Sequence, residues 1–298
     1  MSTIKQYLQK KYSKSTLKSN LYNIKRFTDY YQSKAPKATY KDVLNYIEHL
    51  RKNYDLHPKT LRHCLYGVKI YFNYLLETGK RKDHPCSELF LKDKVSKEIQ
   101  VDNLYSSETL ERFFESYQIK RKIYLLNRNK IIISLLIYQA LTVRAITALE
   151  VQNIDLDKGE IFINGKQEIT SKSPKQRTLP LQAKQILLIH NYLKKDRKKL
   201  LKYNRKNPNE TRLILGQYGE AIQPHGISRI INENRPKSEQ IQPIKIRQSV
   251  IANLLKKEND IRVVQVFAGH KRASTTAQYK QSELEVLQNA VNEYHPIK

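Results

Sequence analysis

The 298-residue sequence predicts a mostly α-helical protein with a small β-sheet, in which a helical N-terminal domain precedes a mixed α/β domain. Three observations predict this. Apolar residues recur at helical spacing along most of the chain. A single pair of short β-type runs, joined by a polar loop, falls at 160–164 and 176–181. A charged stretch at 80–104, with Pro85 and little periodicity, reads as a linker between domains spanning 1–100 and 105–298.

The first helix carries Leu17, Leu21, Ile24, Phe27 and Tyr31 on one face and Lys14, Lys18, Tyr22 and Lys25 on another. Residues 40–53 form the next helix. A third repeats the two-faced design, with apolar Leu61, Leu65, Val68, Phe72 and Leu75 and a basic stripe of Lys59, Arg62, Tyr66 and Lys69. Basic faces interleaved with tyrosine suit the grip of a phosphate backbone, although a solvated lysine face would look the same. Beyond the linker, Ser107 is a candidate N-cap, and helices are expected near 107–117 and 126–141. After the strand pair, helices return, interrupted near 204–211 and 216–226. The last helix, 282–294, has Leu284, Val286, Leu287, Ala290 and Val291 at apolar positions.

Charge narrows the function. Lysine and arginine total 55 against 28 acidic residues, a net charge of +27. Residues 1–100 hold 21 basic and 9 acidic residues, so the excess is spread along the chain and is not a basic tail. An even excess implies a long polyanion, nucleic acid before membrane, although a lysine-rich composition bias contributes. Two cysteines, Cys64 and Cys86, give neither a disulfide framework nor a metal spacing, and a reducing cytoplasm fits. The N-terminus has no apolar signal region, and no apolar run approaches the ~20 residues of a membrane span.

The chemistry is limited by what is missing. Gly159 and Gly165-Lys166 lie too far apart for a P-loop, and Gln167 follows the lysine. No His/Cys set has zinc spacing. The acidic group Glu150, Asp155, Asp157 and Glu160 is a candidate for metal-dependent nuclease chemistry, but it flanks a hairpin where acidic turn residues are expected. No metal and no cofactor are therefore expected. The C-terminal third offers Arg247, His270 and Tyr279. A phenol is a poor nucleophile at neutral pH and needs cationic neighbours and a charge-neutralised phosphate. Arginine supplies that neutralisation with a rigid fork of donors. Taken singly, Arg247 could be a surface charge, His270 a core histidine and Tyr279 one of twenty tyrosines.

Four ordered segments resemble the tyrosine recombinase, or phage integrase, family. Leu141-Thr-Val-Arg144-Ala-Ile-Thr-Ala-Leu149 resembles its first arginine box, and Lys172-Ser-Pro-Lys175-Gln-Arg177-Thr-Leu-Pro180 its β-hairpin lysine segment. Ile244-Lys-Ile-Arg247 begins a segment like the second arginine box. Ala268-Gly-His270 through Ser274-Thr-Thr to Tyr279 resembles the final box. The resemblance implies a SAM-like helical core-binding domain followed by the family's catalytic domain. It implies that Tyr279 attacks a DNA phosphate to form a 3′-phosphotyrosyl bond. Arg144 and Arg247 would bind the non-bridging oxygens, Lys172 would protonate the leaving 5′-oxygen, and His270 would bond the phosphate and assist proton handling. It also implies strand exchange through a Holliday junction, within a tetramer on DNA joined by the C-terminal helix.

Some positions depart from the family pattern. Thr142 stands where glycine is common, and Thr147 where an acid is usual. Ile244 occupies the place of a proton-donating His or Lys, and Lys245 beside it is a possible substitute if the helix start is irregular. Lys166 and Lys175 rival Lys172, but register with Arg177-Thr-Leu-Pro180 favours Lys172. Because the chain opens almost directly on core-binding helices, the expected target is duplex DNA with short inverted half-sites. The expected role is integration and excision, inversion or resolution, with a lean toward a mobile element in the cytoplasm at the nucleoid. The other reading is a catalytically weak or inactive DNA-binding regulator on the same fold.

Overall fold

A computed structural model of the chain describes residues 3–93, 99, 103–165 and 176–280, with 14 and 15 through their backbone only. The chain divides into two units, Met1–Lys97 and Glu98–Lys298.

The first unit is a helical bundle of α1 (Ile4–Lys11), α2 (Lys14–Tyr31), α3 (Tyr40–Tyr54) and α4 (Pro58–Glu77). Local chemistry sets the helix starts. Thr3 and Gln6 form a capping box on α1, Thr39 and Asp42 form one on α3, and Pro58 opens α4. The apolar faces meet in one core around Leu8, Phe27, Val43, Tyr46, Val68 and Phe72. Where α2 and α4 cross, a Cβ on Gly67 would overlap the Asn23 side chain, so glycine lets the backbones approach. Asn23 Nδ2 secures the crossing by donating to the His63 carbonyl at 3.0 Å.

The expected linker at 80–104 needs correction in its first half. Cys86 and Leu89 are buried in the helical core. Lys69 Nζ donates to the Ser87 carbonyl at 2.6 Å and lies 4.2 Å over the Phe90 ring. Arg62 donates to the Asp93 carbonyl, and Arg51 pairs with the Asp93 carboxylate at 2.7 Å. Two isolated apolar residues carry no periodicity, so the sequence pattern does not reveal this docking.

The second unit is built around α6 (Leu126–Tyr138), in which Ile131, Ile132, Ile133, Leu135 and Leu136 are all fully buried. A helix apolar on every side belongs at the centre of a domain. Before it lies α5 (Ser107–Ser116), capped not by the expected Ser107 but by Ser106, which accepts from Thr109 N at 3.2 Å. The short α7 (Val143–Ala148) follows. The sheet runs antiparallel as β1 (Ile154–Asp155), β2 (Glu160–Ile163) and β3 (Arg177–Pro180), with Ile161 opposite Leu179 and Ile163 opposite Arg177. Next come α8 (Ala183–Asn191) and α9 (Arg197–Leu201), joined by a π-helical turn, and α10 (Pro224–Ile231). The domain continues through α11 (Pro243–Lys256), α12 (Ile261–Ala268) and α13 (Ala273–Ala277). The expected helix at 282–294 lies outside the described residues.

The acidic group has structural employment. Glu150 caps the turn before β1 together with Asn153 and pairs with Arg212 at 3.4 Å. Asp155 accepts from Lys158 N at 2.9 Å and sits opposite Glu160 in the β1–β2 ladder. Among the described residues, no three His, Cys, Asp or Glu side chains converge as a metal site.

Candidate active site

Arg247, from the start of α11, meets His270, just after α12, and Tyr279, just after α13. Arg247 sits in the second turn of α11, only 6% exposed. Its Nη1 donates to the Ala140 carbonyl, and its Nη2 donates to the Ala268 carbonyl at 2.7 Å. The same Nη2 lies 3.1 Å from His270 Nε2. Arginine only donates, so Nε2 is the acceptor and the proton sits on Nδ1. His270 Nδ1 then donates to Thr276 Oγ1 at 3.0 Å, and Thr276 is fully buried. The neighbours thus hold a neutral imidazole in one tautomer.

The end of α12 places this ring. Gly269 is left-handed at φ +68°. Gly269 N–H donates to the Val266 carbonyl at 2.9 Å and His270 N–H to the Gln265 carbonyl at 3.0 Å, a Schellman closure. A side chain at Gly269 would be strained and would also overlap the guanidinium of Arg177. Tyr279 follows α13, 8% exposed, its N–H donating to the Thr276 carbonyl at 3.0 Å. Its ring stacks on His270, with centroids 6.0 Å apart and planes 17° from parallel.

The electrostatics follow from burial and charge. Burial, with Arg247 and Arg177 nearby, pushes the His270 imidazole down to about 4. Burial raises the Tyr279 phenol above its ordinary value, and Arg247 partly opposes this. Burial lowers Arg247, and burial with Arg247 nearby brings Arg177 down to about 10. The cluster therefore holds concentrated positive charge and a protonated phenol, a site prepared for an anion.

This predicts a pH dependence of stability. The unfolded chain protonates His270 as pH falls through 6.5, whereas the folded protein resists until about 4. The unfolded state binds more protons in that window, so stability falls as pH falls across it. His270→Gln should lose less stability than wild type between pH 6.5 and 4, by on the order of 2–3 kcal/mol. Thermal melts at matched pH check this, and parallel curves would contradict it.

The other expected residues separate into groups. Arg144 lies exposed in the first turn of α7, whose N-cap Thr142 accepts from Ala145 N at 3.2 Å. Its link to the cluster runs through the backbone, because Arg247 holds the Ala140 carbonyl four residues earlier. Ala140 is left-handed at φ +47°, and that bend turns the chain into α7. Thr147, at the usual acidic position, turns its hydroxyl back to the Arg144 carbonyl at 3.2 Å. Lys172, Lys166 and Lys175 lie outside the described residues.

Lys245 is not brought to the cluster, which corrects the expectation of a substitute for Ile244. Its ammonium lies 4.7 Å over the Tyr105 ring. One and two turns on, Ser249 Oγ accepts from Tyr105 N at 2.9 Å and Asn253 Nδ2 donates to the Tyr105 carbonyl at 3.0 Å. The regular helix fixes the phase: 245, 249 and 253 share the Tyr105 side, while Ile244 shares a side with Arg247 and is 53% exposed. A residue absent from the expected site set, Arg177, is part of the arrangement: it is 8% exposed, and its Nε donates to the Phe267 carbonyl at 2.8 Å. Its signal in the sequence is an arginine at an inward strand position, two before Leu179.

On the helical unit, Lys18 and Lys25 are exposed along α2 with Tyr22, 67% exposed, between them. Lys14 begins α2 and Lys59 is exposed at the start of α4. Arg62 and Lys69 bind the 87–93 segment, so the α4 stripe is partly committed to internal packing.

The phage integrase family model matches residues 107–285, and the family's N-terminal SAM-like domain model matches residues 2–80. The chain is 26% identical over 305 residues to tyrosine recombinase XerC of Oceanobacillus iheyensis, covering 99% of this chain and 95% of that protein. Its fold is similar to XerH site-specific recombinase bound to difH substrate, with TM-score 0.67 and 19% identity over 94% of this chain and 80% of the other. It is also similar to the Tn1549 transposon integrase in complex with a circular intermediate DNA, with TM-score 0.64 and 15% identity over 98% of this chain and all of the other.

Proposed function

The chain belongs to the phage integrase family, and from that membership we propose how this tyrosine-type site-specific DNA recombinase cuts and rejoins DNA. The observation that carries the mechanism is the cluster of buried Arg247, neutral His270 and the Tyr279 ring stacked on it. Tyr279 Oη attacks the scissile phosphorus, the bond to the 5′-oxygen breaks, and a 3′-phosphotyrosyl bond forms. Arg247, already fixed by two carbonyls, meets the developing charge without reorganising, and Arg144 adds a second guanidinium from α7. His270 is held neutral, and once a phosphate oxygen replaces Nε2 as the acceptor of Arg247 Nη2, that lone pair is free to take the phenolic proton. Lys172 protonates the 5′-oxygen. The phosphotyrosyl bond conserves the energy, so religation needs no ATP.

The α2 face with Lys18, Tyr22 and Lys25 fits a phosphate backbone. Lys18→Ala combined with Lys25→Ala should weaken DNA binding and reduce the salt slope by about 2. Fluorescence anisotropy across salt concentrations checks this, and an unchanged slope would remove these residues from the interface. The substrate is duplex DNA with short inverted half-sites, bound at the nucleoid by a tetramer joined through the 282–294 segment, in a mobile-element setting of integration, excision or inversion. The non-cleaving regulator is not favoured, because the curated relatives are named as recombinases.

Ile244 leaves an aliphatic side chain exposed beside Arg247. Ile244→His should speed cleavage by roughly 10-fold, since positioned acid–base groups contribute that much or more. Single-turnover adduct formation measures it, and an unchanged rate would show that proton transfer there is not limiting. The test of the function itself is covalent trapping on nicked duplexes from the DNA flanking the gene, with chelator present. An SDS-resistant adduct is expected. Tight binding without an adduct would overturn the cleavage mechanism.

A further inference from the structure

We propose that Arg177 is a positioning residue for DNA cleavage: its buried guanidinium pins the end of α12 and so holds the His270 ring against Arg247 and Tyr279. This rests on the recombinase reading above and adds a residue to it. The geometry has three parts. Arg177 takes an inward position on β3, in alternation with Leu179, where the sheet otherwise presents apolar side chains. Its Nε donates to the Phe267 carbonyl at 2.8 Å, in the last turn of α12. Its outer nitrogen lies against Gly269, so the residue before His270 has no room for a side chain.

Packing alone does not explain an arginine there. A buried guanidinium is costly, and a second one nearby adds repulsion; an apolar side chain would fill an inward strand position without that cost. Here Arg177 and Arg247 both act electrostatically on the same imidazole. The groups facing His270 are Arg247 from α11, Arg177 from β3, and Tyr279 and Thr276 at α13. Burial and then the two cations keep the ring neutral, and its Nε2 lone pair is directed at Arg247. Arg177 is also the first residue of β3, five after Lys172 in sequence. The strand that follows the lysine segment is thus tied directly to the helix end that carries the histidine.

The test compares Arg177→Met and Arg177→Lys with wild type in the full-length protein. Single-turnover adduct formation on a nicked duplex carrying the trapped site is followed from pH 5 to 9. DNA affinity is measured by anisotropy, and the His270 titration by NMR. Arg177→Met should lose at least about 30-fold in cleavage rate with DNA affinity within about threefold, and His270 should titrate closer to its ordinary 6.5. The rate of this variant should then fall on the acid side, where His270 has taken up its proton. Arg177→Lys keeps the charge but not the Nε–H to Phe267; it should retain a low His270 titration and still cleave slowly. Wild-type cleavage by Arg177→Met, a loss matched by lost DNA affinity, an unmoved His270 titration, or failure of both variants to fold would each overturn the assignment. A wild-type protein that forms no adduct fails the recombinase mechanism itself, whereas a wild-type adduct with an unaffected Arg177→Met fails Arg177 alone.

Discussion

Tyr279→Phe should bind DNA within about threefold of wild type and form no covalent adduct. The change removes one oxygen from a side chain that is 8% exposed and whose ring stacks on His270. Phenylalanine keeps the ring, so the stack and the turn at the end of α13 survive. In the mechanism proposed above the missing atom is the nucleophile, so no phosphotyrosyl bond should form. Denaturing gels of trapped complexes, beside anisotropy on the same duplex, separate chemistry from binding. An adduct in Tyr279→Phe would assign the nucleophile to another residue.

Arg247→Ala should lose cleavage by at least about 1,000-fold and also destabilise the fold by roughly 2–4 kcal/mol. The two losses have different origins. Stability falls because the carbonyls of Ala140 and Ala268 lose their donor in a buried place, and a cavity replaces a large side chain. Cleavage should fall because, in the proposed mechanism, the phosphate loses a preorganised guanidinium. Arg247→Lys distinguishes them: it returns the charge but cannot reach both carbonyls and His270 at once. It should recover some stability and remain about 100-fold slow. Urea melts and single-turnover cleavage test this pair of effects. Full activity in Arg247→Lys would show that point charge, not the fork, is what the site requires.

Much of the fold is legible in the sequence. The helical bundle shows through because α2 and α4 each carry a long apolar face, and β2 and β3 because they are bounded by polar loop residues. The β1 strand is not legible, since two residues cannot display a period. The ordered Arg144, Arg247, His270 and Tyr279 are legible as a family pattern, because chemistry on a phosphate restricts the residue types and a shared fold keeps them in order. Lys245 is misplaced if the helix start is allowed to be irregular; the regular α11 turns it toward Tyr105. Arg62 and Lys69 read as free cations because a sequence cannot show that the 87–93 segment returns to cover them.

The sequence by itself determined the types of groups available: twenty phenols, an excess of cations, and one order of Arg, His and Tyr that matches a cleavage chemistry. Only the tertiary structure decided their states. That His270 is neutral, which nitrogen holds its proton, and that Arg177 joins the site all depend on groups 23 to 93 residues away in the chain. Protonation and tautomer are set by through-space charge and desolvation, which fall off with distance in three dimensions and carry no periodic trace along one.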